Sequence, residues 1–410
     1  MAPEKKLITE NTVKKKILVL TSTFPRWQDD VEPPFVFELC RSLSKSFSVH
    51  VLAPHAYSAA VDDQLEGVRI TRYRYFFPRW QNLAYHGGIL ANLNENPLRY
   101  ALVPCFMVAQ LVVLIRLLKR HRFDCIHAHW MIPQGLVAII AGLLIKSAPP
   151  VVVTSHGGDL FGLNGYVFDS LKRFVVRRSA GVTVASRSMK QTLHAIMPGE
   201  GRIRVIPMGV DLQHRFIPPD GRLSTGVVLF VGRLVEKKGL QYLIEAMPSV
   251  LIRHPQSRLR IVGAGQEKAR LKKRITELGL ENQVALWGAV NNAELPELYQ
   301  SADVVVFPSI VDDRGDREGF GLVLVEALGC ECATIVTDLP AMRDVIQHEA
   351  SALVVPQKDA GHLAEKINLL LDDDNLRRAL GKQGRQHVLD RFDWQIIAGR
   401  YIELIHSVMN

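Results

Sequence analysis

The chain has 410 residues, 48% of them hydrophobic, and a formal net charge of +9. That length exceeds what one ordinary core serves, so two domains are expected, and the composition argues against disorder or low complexity. The five cysteines (Cys40, Cys105, Cys125, Cys330 and Cys332) are scattered and odd in number. They read as buried small hydrophobes in a reducing compartment, and the Cys330-Glu-Cys332 spacing does not suit zinc.

From the N-terminus, Lys14-Lys-Lys16 precedes a short apolar run, Ile17 to Leu20, which reads as a first strand and not as a signal peptide. Further strands are predicted at Lys16–Thr21 (enclosing that run), Ser48–Ala53, Cys125–His129, Val151–Ser155, Gly181–Ala185 and Arg204–Pro207. The longest apolar run, Ala101–Ile115, is interrupted by Pro104 and Gln110 and followed by Arg116, Lys119, Arg120 and Arg122. It falls short of the roughly 18–20 apolar residues that span a bilayer, so a buried helix with a basic exit is expected. A helix lying on a membrane surface is the functional alternative.

Residues 209–226 are rich in Pro and Gly and poor in periodicity, which marks a break. Beyond it, strands are predicted at Val227–Gly232, Leu259–Gly263, Gln283–Trp287, Asp303–Pro308, Ala333–Thr337 and Ala352–Val355. Helical spacing fills the gaps, as in Leu240–Arg253, Lys268–Leu278 and Leu363–Leu371. Apolar strands alternating with helices predict two doubly wound α/β blocks with parallel sheets. The expected division is an N-terminal domain over 1–210, a second domain over 211–392, and a terminal helix over 393–410.

Charge is uneven along the chain. Residues 1–215 hold 27 Lys+Arg against 15 Asp+Glu, and the remainder 23 against 26. A basic first half suits an anionic partner such as a membrane face or a lipid diphosphate. The bases are not interleaved with aromatics as in a nucleic-acid module, so no nucleic-acid partner is expected.

Ligands of doubly wound sheets bind outside the carboxyl ends of the strands, and three polar clusters fall there. Thr154-Ser-His-Gly-Gly-Asp159 places His156 after a strand, where a neutral imidazole can donate to a substrate oxygen. Gly232-Arg-Leu-Val-Glu-Lys-Lys-Gly239 puts Arg233 and Lys238 on a loop entering a helix, an anion site suited to a diphosphate leaving group. Glu318-Gly-Phe-Gly-Leu-Val-Leu-Val-Glu326 frames glycines and an apolar helix between two acids. Amides at Leu322 and Val323 can point at phosphate oxygens, Glu326 can accept from ribose hydroxyls, and Glu318 from sugar hydroxyls.

In His127-Ala-His129, the histidines are expected to alternate across a strand, and packing is favoured, with one of the two able to reach the cleft. Zinc is not expected, and the acid pairs Asp29-Asp30, Asp62-Asp63 and Asp312-Asp313 read as solvated loops and not as metal sites. Val262-Gly-Ala-Gly-Gln266 lacks the third glycine and ribose acid of a dinucleotide fingerprint and reads as a strand-to-helix turn.

These clusters, in this order, resemble the retaining glycosyltransferases of family 4, which have the GT-B fold. Val231–Gly239, Trp287-Gly288, Ser301-Ala-Asp303, Phe307-Pro-Ser309, Glu318–Glu326 and Ala327-Leu-Gly329 carry the likeness, with Thr154–Asp159 and Ile206–Asp211 in the first half. The resemblance implies two Rossmann-like domains facing a central cleft, with the last helix crossing back to the first. It implies a hexosyltransferase that uses a UDP- or GDP-hexose, needs no cofactor or bound metal, and retains the anomeric configuration. Arg233 and Lys238 would hold the diphosphate, His156 and Glu318 would contact the transferred sugar, and Gly232, Phe320, Gly321, Leu322 and Val323 would line the donor. Trp287–Val290, including Val290, would meet the base, and Glu326 the ribose. The acceptor would be a glycan or lipid-linked, and the protein cytoplasmic, able to lie peripherally on the inner face of the plasma membrane. The chain departs from the pattern at Glu32-Pro-Pro-Phe-Val36, where relatives carry a Gly-Gly turn, and at Met208, where Asn is usual. It also departs at Asp338–Asp344, which lacks the glycines often seen there. Alternatives are a sugar-nucleotide epimerase of the same architecture and a non-catalytic sugar-nucleotide-binding subunit.

Overall fold

In a computed structural model, residues 14–409 are described except 29, 31, 33, 86, 222–223 and 348–349. The strands are β1 (Lys16–Leu20), β2 (Ser48–Pro54), β3 (Asp62–Leu65), β4 (Val68–Tyr73), β5 (Cys125–His129), β6 (Val151–Ser155), β7 (Gly181–Val184) and β8 (Ile203–Val205). After the break come β9 (Val227–Val231), β10 (Arg258–Val262), β11 (Val284–Gly288), β12 (Val304–Phe307), β13 (Ala333–Thr337) and β14 (Leu353–Val355). They form two sheets, ordered β3-β4-β2-β1-β5-β6-β7-β8 and β11-β10-β9-β12-β13-β14. Apart from the antiparallel β3–β4 pair, neighbouring strands run parallel. The central strands, apart from Lys16 at the start of β1, are buried because helices cover both faces of each sheet.

The sequence reading missed β3 and β4. They form a polar hairpin around Glu66 and Gly67, and only Val68, Ile70, Arg72 and Tyr73 are buried in β4. Arg72 is buried against Asp63, so the apolar alternation is broken by a charge that the fold pairs.

Helix starts follow ordinary capping. Asp359 accepts from the amide of His362 and Asp373 from that of Leu376, opening Ala360–Asp372 and Asp374–Phe392. The final helix, Trp394–Met409, turns Trp394, Ile397, Tyr401, Leu404 and Ile405 inward. They join a core cluster with Ile17, Val19 and Phe37 of the first sheet's layer. Where the chain crosses back, the Val210 amide donates to Phe392 O and the Trp394 amide to Val210 O, and Asp393 accepts from Leu212 N at 3.2 Å.

One expectation is corrected. The apolar run around Ala101–Ile115 is neither short nor buried. Residues 97–120 form a helical stretch long and apolar enough, by length and composition, to cross a membrane, and only 22% of its apolar window is buried. Pro104 lies in the first turn of Leu102–Arg120, where its missing N–H is no loss, and Gln110 turns inward. Neither residue interrupts the helix. One stripe, including Leu102, Phe106, Leu114 and Leu117, packs on the domain, and Val108 and Val112 on another stripe stay exposed. Cys40, Cys125, Cys330 and Cys332 are buried and Cys105 is half-buried.

Candidate functional site

Each sheet reverses its winding at one point: between β1 and β5 in the first, between β9 and β12 in the second. Crevices open at the carboxyl ends of strands at such points. In the second domain the loop after β9 brings Gly232–Lys238, and the long connection after β12 brings Glu318–Gly321. In the first domain β5 ends at His129 and β6 ends just before His156. Here the two domains meet. A Cβ on Gly157 would sit 3.3 Å from Gly319 Cα, and one on Gly319 3.2 Å from His156 O. The turn bearing His156 and the turn bearing Glu318 are therefore in backbone contact across the cleft, which larger residues would prop apart.

Lys238 ends the short 3-10 turn Glu236–Lys238, and its ammonium is ion-paired with Glu318. Gly239 holds the turn in place. Its φ is +63°, and a Cβ there would lie 2.0 Å from Pro308 O, so only glycine lets the loop pack on the end of β12. Lys237 beside it donates to Asp316 and to Arg317 O. Arg233 is exposed and donates to Gly87 O of the first domain at 3.0 Å. Burial alone would raise the Glu318 carboxyl, but the charges of Lys238, Lys237 and Arg233 outweigh it and hold it at about 2. Glu318 is a carboxylate at any physiological pH, set in a cationic frame that also suits a diphosphate.

His156 sits between Phe35 and Trp130, with ring centroids 5.0 Å and 4.9 Å away. Its Nε2 shares a 2.8 Å hydrogen bond with His129 Nδ1, and the two rings stack. Burial, with a contribution from His127, drops His156 to about 3, so the ring is neutral. The alternation expected for His127 and His129 is corrected: residues two apart share a strand face, and their rings lie 4.4 Å apart. His127 bonds Thr154 Oγ1 while His129 reaches His156. Asp159, in the same motif, is buried and structural: it accepts from the Met131 amide and from Ser155 Oγ.

Gly321, at φ +96°, opens the Leu322–Gly329 helix, and no side chain caps it. The Leu324 amide bonds Gly321 O, and the amides of Leu322 and Val323 are left available for an anion. Phe320 is buried against Phe392, 5.4 Å between centroids. One turn along, half-buried Glu326 accepts a 3.0 Å hydrogen bond from Tyr299 O–H. Burial pushes its carboxyl up to about 7, against the opposing pull of the Tyr299 bond and of Arg215. Trp287 is half exposed on edge strand β11 with the Arg260 guanidinium over its ring at 5.1 Å, and Val290 is partly buried against the cluster that includes Phe320 and Leu324.

The structure thus gathers His156, Gly232, Arg233, Lys238, Glu318, Phe320 and Gly321 about one crevice. Leu322, Val323 and Glu326 line the helix leading from it, and Trp287 and Val290 lie at and just beyond the end of β11. Tyr299 and Arg317 were not picked from the sequence, and His129 was read only as one of a pair able to reach the cleft. Tyr299 partners Glu326, His129 orients His156, and Arg317 spans the domains, bonding Thr192 Oγ1 at 3.2 Å and covering the Phe161 ring. No local motif marks Tyr299 or Arg317, because each acts through a residue far away in the chain. The acid pairs have structural partners: Asp63 with Arg72, Asp62 with Thr71, and Asp312 with the amides of Arg314 and Asp316. Asp30 pairs with Arg26, and Asp29 lies outside the described residues. Among the described residues no group of three or more His, Cys, Asp and Glu could hold a metal ion. The glycines of Val262–Gln266 serve packing, since a Cβ on Gly263 would overlap the Gly232 carbonyl.

Residues 34–214 match the family described as Glycosyltransferase Family 4, and residues 220–387 the one described as Glycosyl transferases group 1. Over 321 residues the chain is 28% identical to an uncharacterized glycosyltransferase of Methanocaldococcus jannaschii, covering 74% of this chain and 80% of that one. It is 29% identical over 292 residues to a phosphatidyl-myo-inositol mannosyltransferase of Mycolicibacterium smegmatis, covering 70% and 72%. Among solved structures, sucrose-phosphate synthase from Thermosynechococcus elongatus matches with a TM-score of 0.77 at 21% identity, over 96% of this chain and 99% of that one. An Anabaena protein solved with UDP-glucose matches with a TM-score of 0.73 at 18% identity, over 96% and 99%. At these identities the structural likeness speaks for the fold.

Proposed function

The chain belongs to glycosyltransferase family 4, and on that premise we propose that it moves a hexose from a UDP- or GDP-sugar to a glycan or lipid-linked acceptor, retaining the anomeric configuration. It is a glycosyltransferase, and its two facing α/β domains are the GT-B fold. The observation that supports the finer reading is the Lys238–Glu318 pair, set beside Lys237 and Arg233 where the two domains touch.

In this reading Lys238 and Arg233, with the amides of Leu322 and Val323, neutralise the diphosphate as charge builds on it. Glu318 accepts from hydroxyls of the sugar, and neutral His156, held by His129, donates to another sugar oxygen near the reacting carbon. Gly232, Phe320 and Gly321 line the sugar and phosphates. Glu326 accepts from the ribose in place of Tyr299, and Trp287 and Val290 flank the base. The bond from the anomeric carbon to the diphosphate oxygen breaks. The acceptor hydroxyl bonds to the same carbon on the same face, and its proton passes to the departing phosphate oxygen. These side chains supply the positive charge that a metal ion would otherwise bring. The Anabaena neighbour was solved with UDP-glucose, and the mycobacterial relative is named for a phosphatidylinositol acceptor. Those two facts favour a nucleotide sugar and a lipid-linked acceptor here. The basic first half supports a cytoplasmic protein that meets its acceptor at an anionic membrane.

The test is product analysis with UDP- and GDP-hexoses and lipid-linked acceptors, with and without a chelator. A transferred sugar with unchanged anomeric configuration, insensitive to chelation, is expected. An isomerised donor with no acceptor product would overturn the reading in favour of an epimerase, and no product at all in favour of a binding subunit.

A further inference from the structure

We infer that the first domain docks flat on an anionic lipid bilayer through one continuous face. That face is built from the aromatic segment after β4, the turn before the Leu102–Arg120 helix, and the outer stripe of that helix. The inference rests on the reading above only for its purpose. Its geometry stands alone.

The aromatic segment holds Phe77 and Trp80, exposed by 72% and 64%, in ring contact with Phe76. It is anchored beside the helix, where Tyr75 packs on the inward-facing Phe106 with centroids 5.1 Å apart. Immediately before the helix, Leu98 is 84% exposed and Tyr100 59%. The outer stripe then runs Pro104, Val108, Val112 and Arg116, one turn at a time, all exposed. Large apolar groups this exposed, on the helix and on the segments that adjoin it, need an occupant.

Charge decides which one. Between Glu66 and Asp124 the chain carries nine Lys+Arg and a single acid, Glu95. That acid is taken by Arg99 at 2.6 Å. Arg74 and Arg79 flank the aromatics, and Arg116, Lys119 and Arg120 end the stripe, all exposed and without an ion pair among the described residues. Two copies meeting through this face would oppose cation to cation. An anionic bilayer accepts the apolar stripe and the basic rim together.

The face also connects to the cleft. Gly87, seven residues beyond Trp80, accepts from Arg233. Leu90 lies against Gly162, just after the His156 turn, where a Cβ would be 2.7 Å from its Cδ1. Docking on this face therefore sets the rim of the cleft near the headgroups, where a lipid-linked acceptor presents its sugar.

The experiment is co-sedimentation of the full chain with vesicles of phosphatidylcholine alone, or mixed equally with phosphatidylglycerol. Binding to the anionic vesicles only is expected, and it should fall in about 1 M NaCl, where the Debye length shrinks to about 3 Å. Arg116→Ala with Lys119→Ala should weaken partitioning on the order of 25-fold, about fivefold per basic head. Val108→Glu with Val112→Glu should abolish it. Both double variants should keep the parent's melting temperature and its thermal shift with nucleotide sugars. Three outcomes overturn the inference: a parent that stays in the supernatant, variants that bind as well as the parent, or a vesicle-free parent dimer that these substitutions dissociate. A parent that binds vesicles but no nucleotide sugar would leave this inference standing and remove the donor reading.

Discussion

Replacing Glu326 by Gln separates what this residue costs the fold from what it does for a donor. Burial raises the Glu326 carboxyl from 4.5 to about 7. An acid whose folded value is raised opposes folding wherever the unfolded chain would be ionised. The parent is therefore unpenalised below pH 4.5, loses stability as pH climbs toward about 7, and stays at that deficit above it. A shift of about 2.5 units corresponds to a ceiling of about 3.4 kcal/mol. The side chain is only half-buried, so solvent screening brings the expected gain nearer to about 1.5 kcal/mol. Gln keeps an oxygen to accept from Tyr299 O–H while removing the charge. At about 2–4 °C per kcal/mol for a domain of this size, Glu326→Gln should melt roughly 3–6 °C higher than the parent near pH 8. The gap should close as pH falls to about 4.5, and donor affinity should drop in the same variant because ribose hydroxyls lose a charged acceptor. Differential scanning fluorimetry across that pH range, with and without nucleotide sugar, reads both effects. A melting gap that does not change with pH would refute the argument that burial of this charge opposes folding.

Other substitutions test the rest of the crevice. Lys238→Ala should lose on the order of 3 kcal/mol of transition-state stabilisation, about a hundredfold in kcat/KM, and activity within a few-fold of the parent would count against its role at the diphosphate. Glu318→Gln should destabilise the chain near neutrality by removing the partner of Lys238. The Glu318 value is depressed, so that stabilisation is present above pH 4.5 and lost as pH falls through about 2. Acid-unfolding curves of the two proteins should therefore converge at low pH, and a constant offset would contradict the assignment. Gly239→Ala forces a Cβ into Pro308 O and a left-handed φ on alanine, and should cost on the order of 3 kcal/mol by chemical denaturation. A variant as stable as the parent would mean the Lys238 turn is not fixed in this way.

Much of the molecule was legible as text because its signals are local. Apolar runs such as Val227–Val231 and Val304–Phe307 can only be strands buried on both faces, and the turns at their ends collect the polar residues. Gly-Phe-Gly between Glu318 and Leu322 marked a close backbone approach at the entry to an apolar helix. Other features depend on which distant segments meet. The hairpin of β3 and β4 hid because Arg72 finds Asp63 only once folded. Tyr299, His129 and Arg317 gained their places through partners at Glu326, His156 and Thr192, each 27 or more residues away. The Leu102–Arg120 helix was read as buried, since an apolar sequence says that a surface wants cover but not what supplies it. Sequence set the period and punctuation of each element. Packing decided which charges were neutralised, which acids shifted in opposite directions, and which apolar stripe was left facing outward.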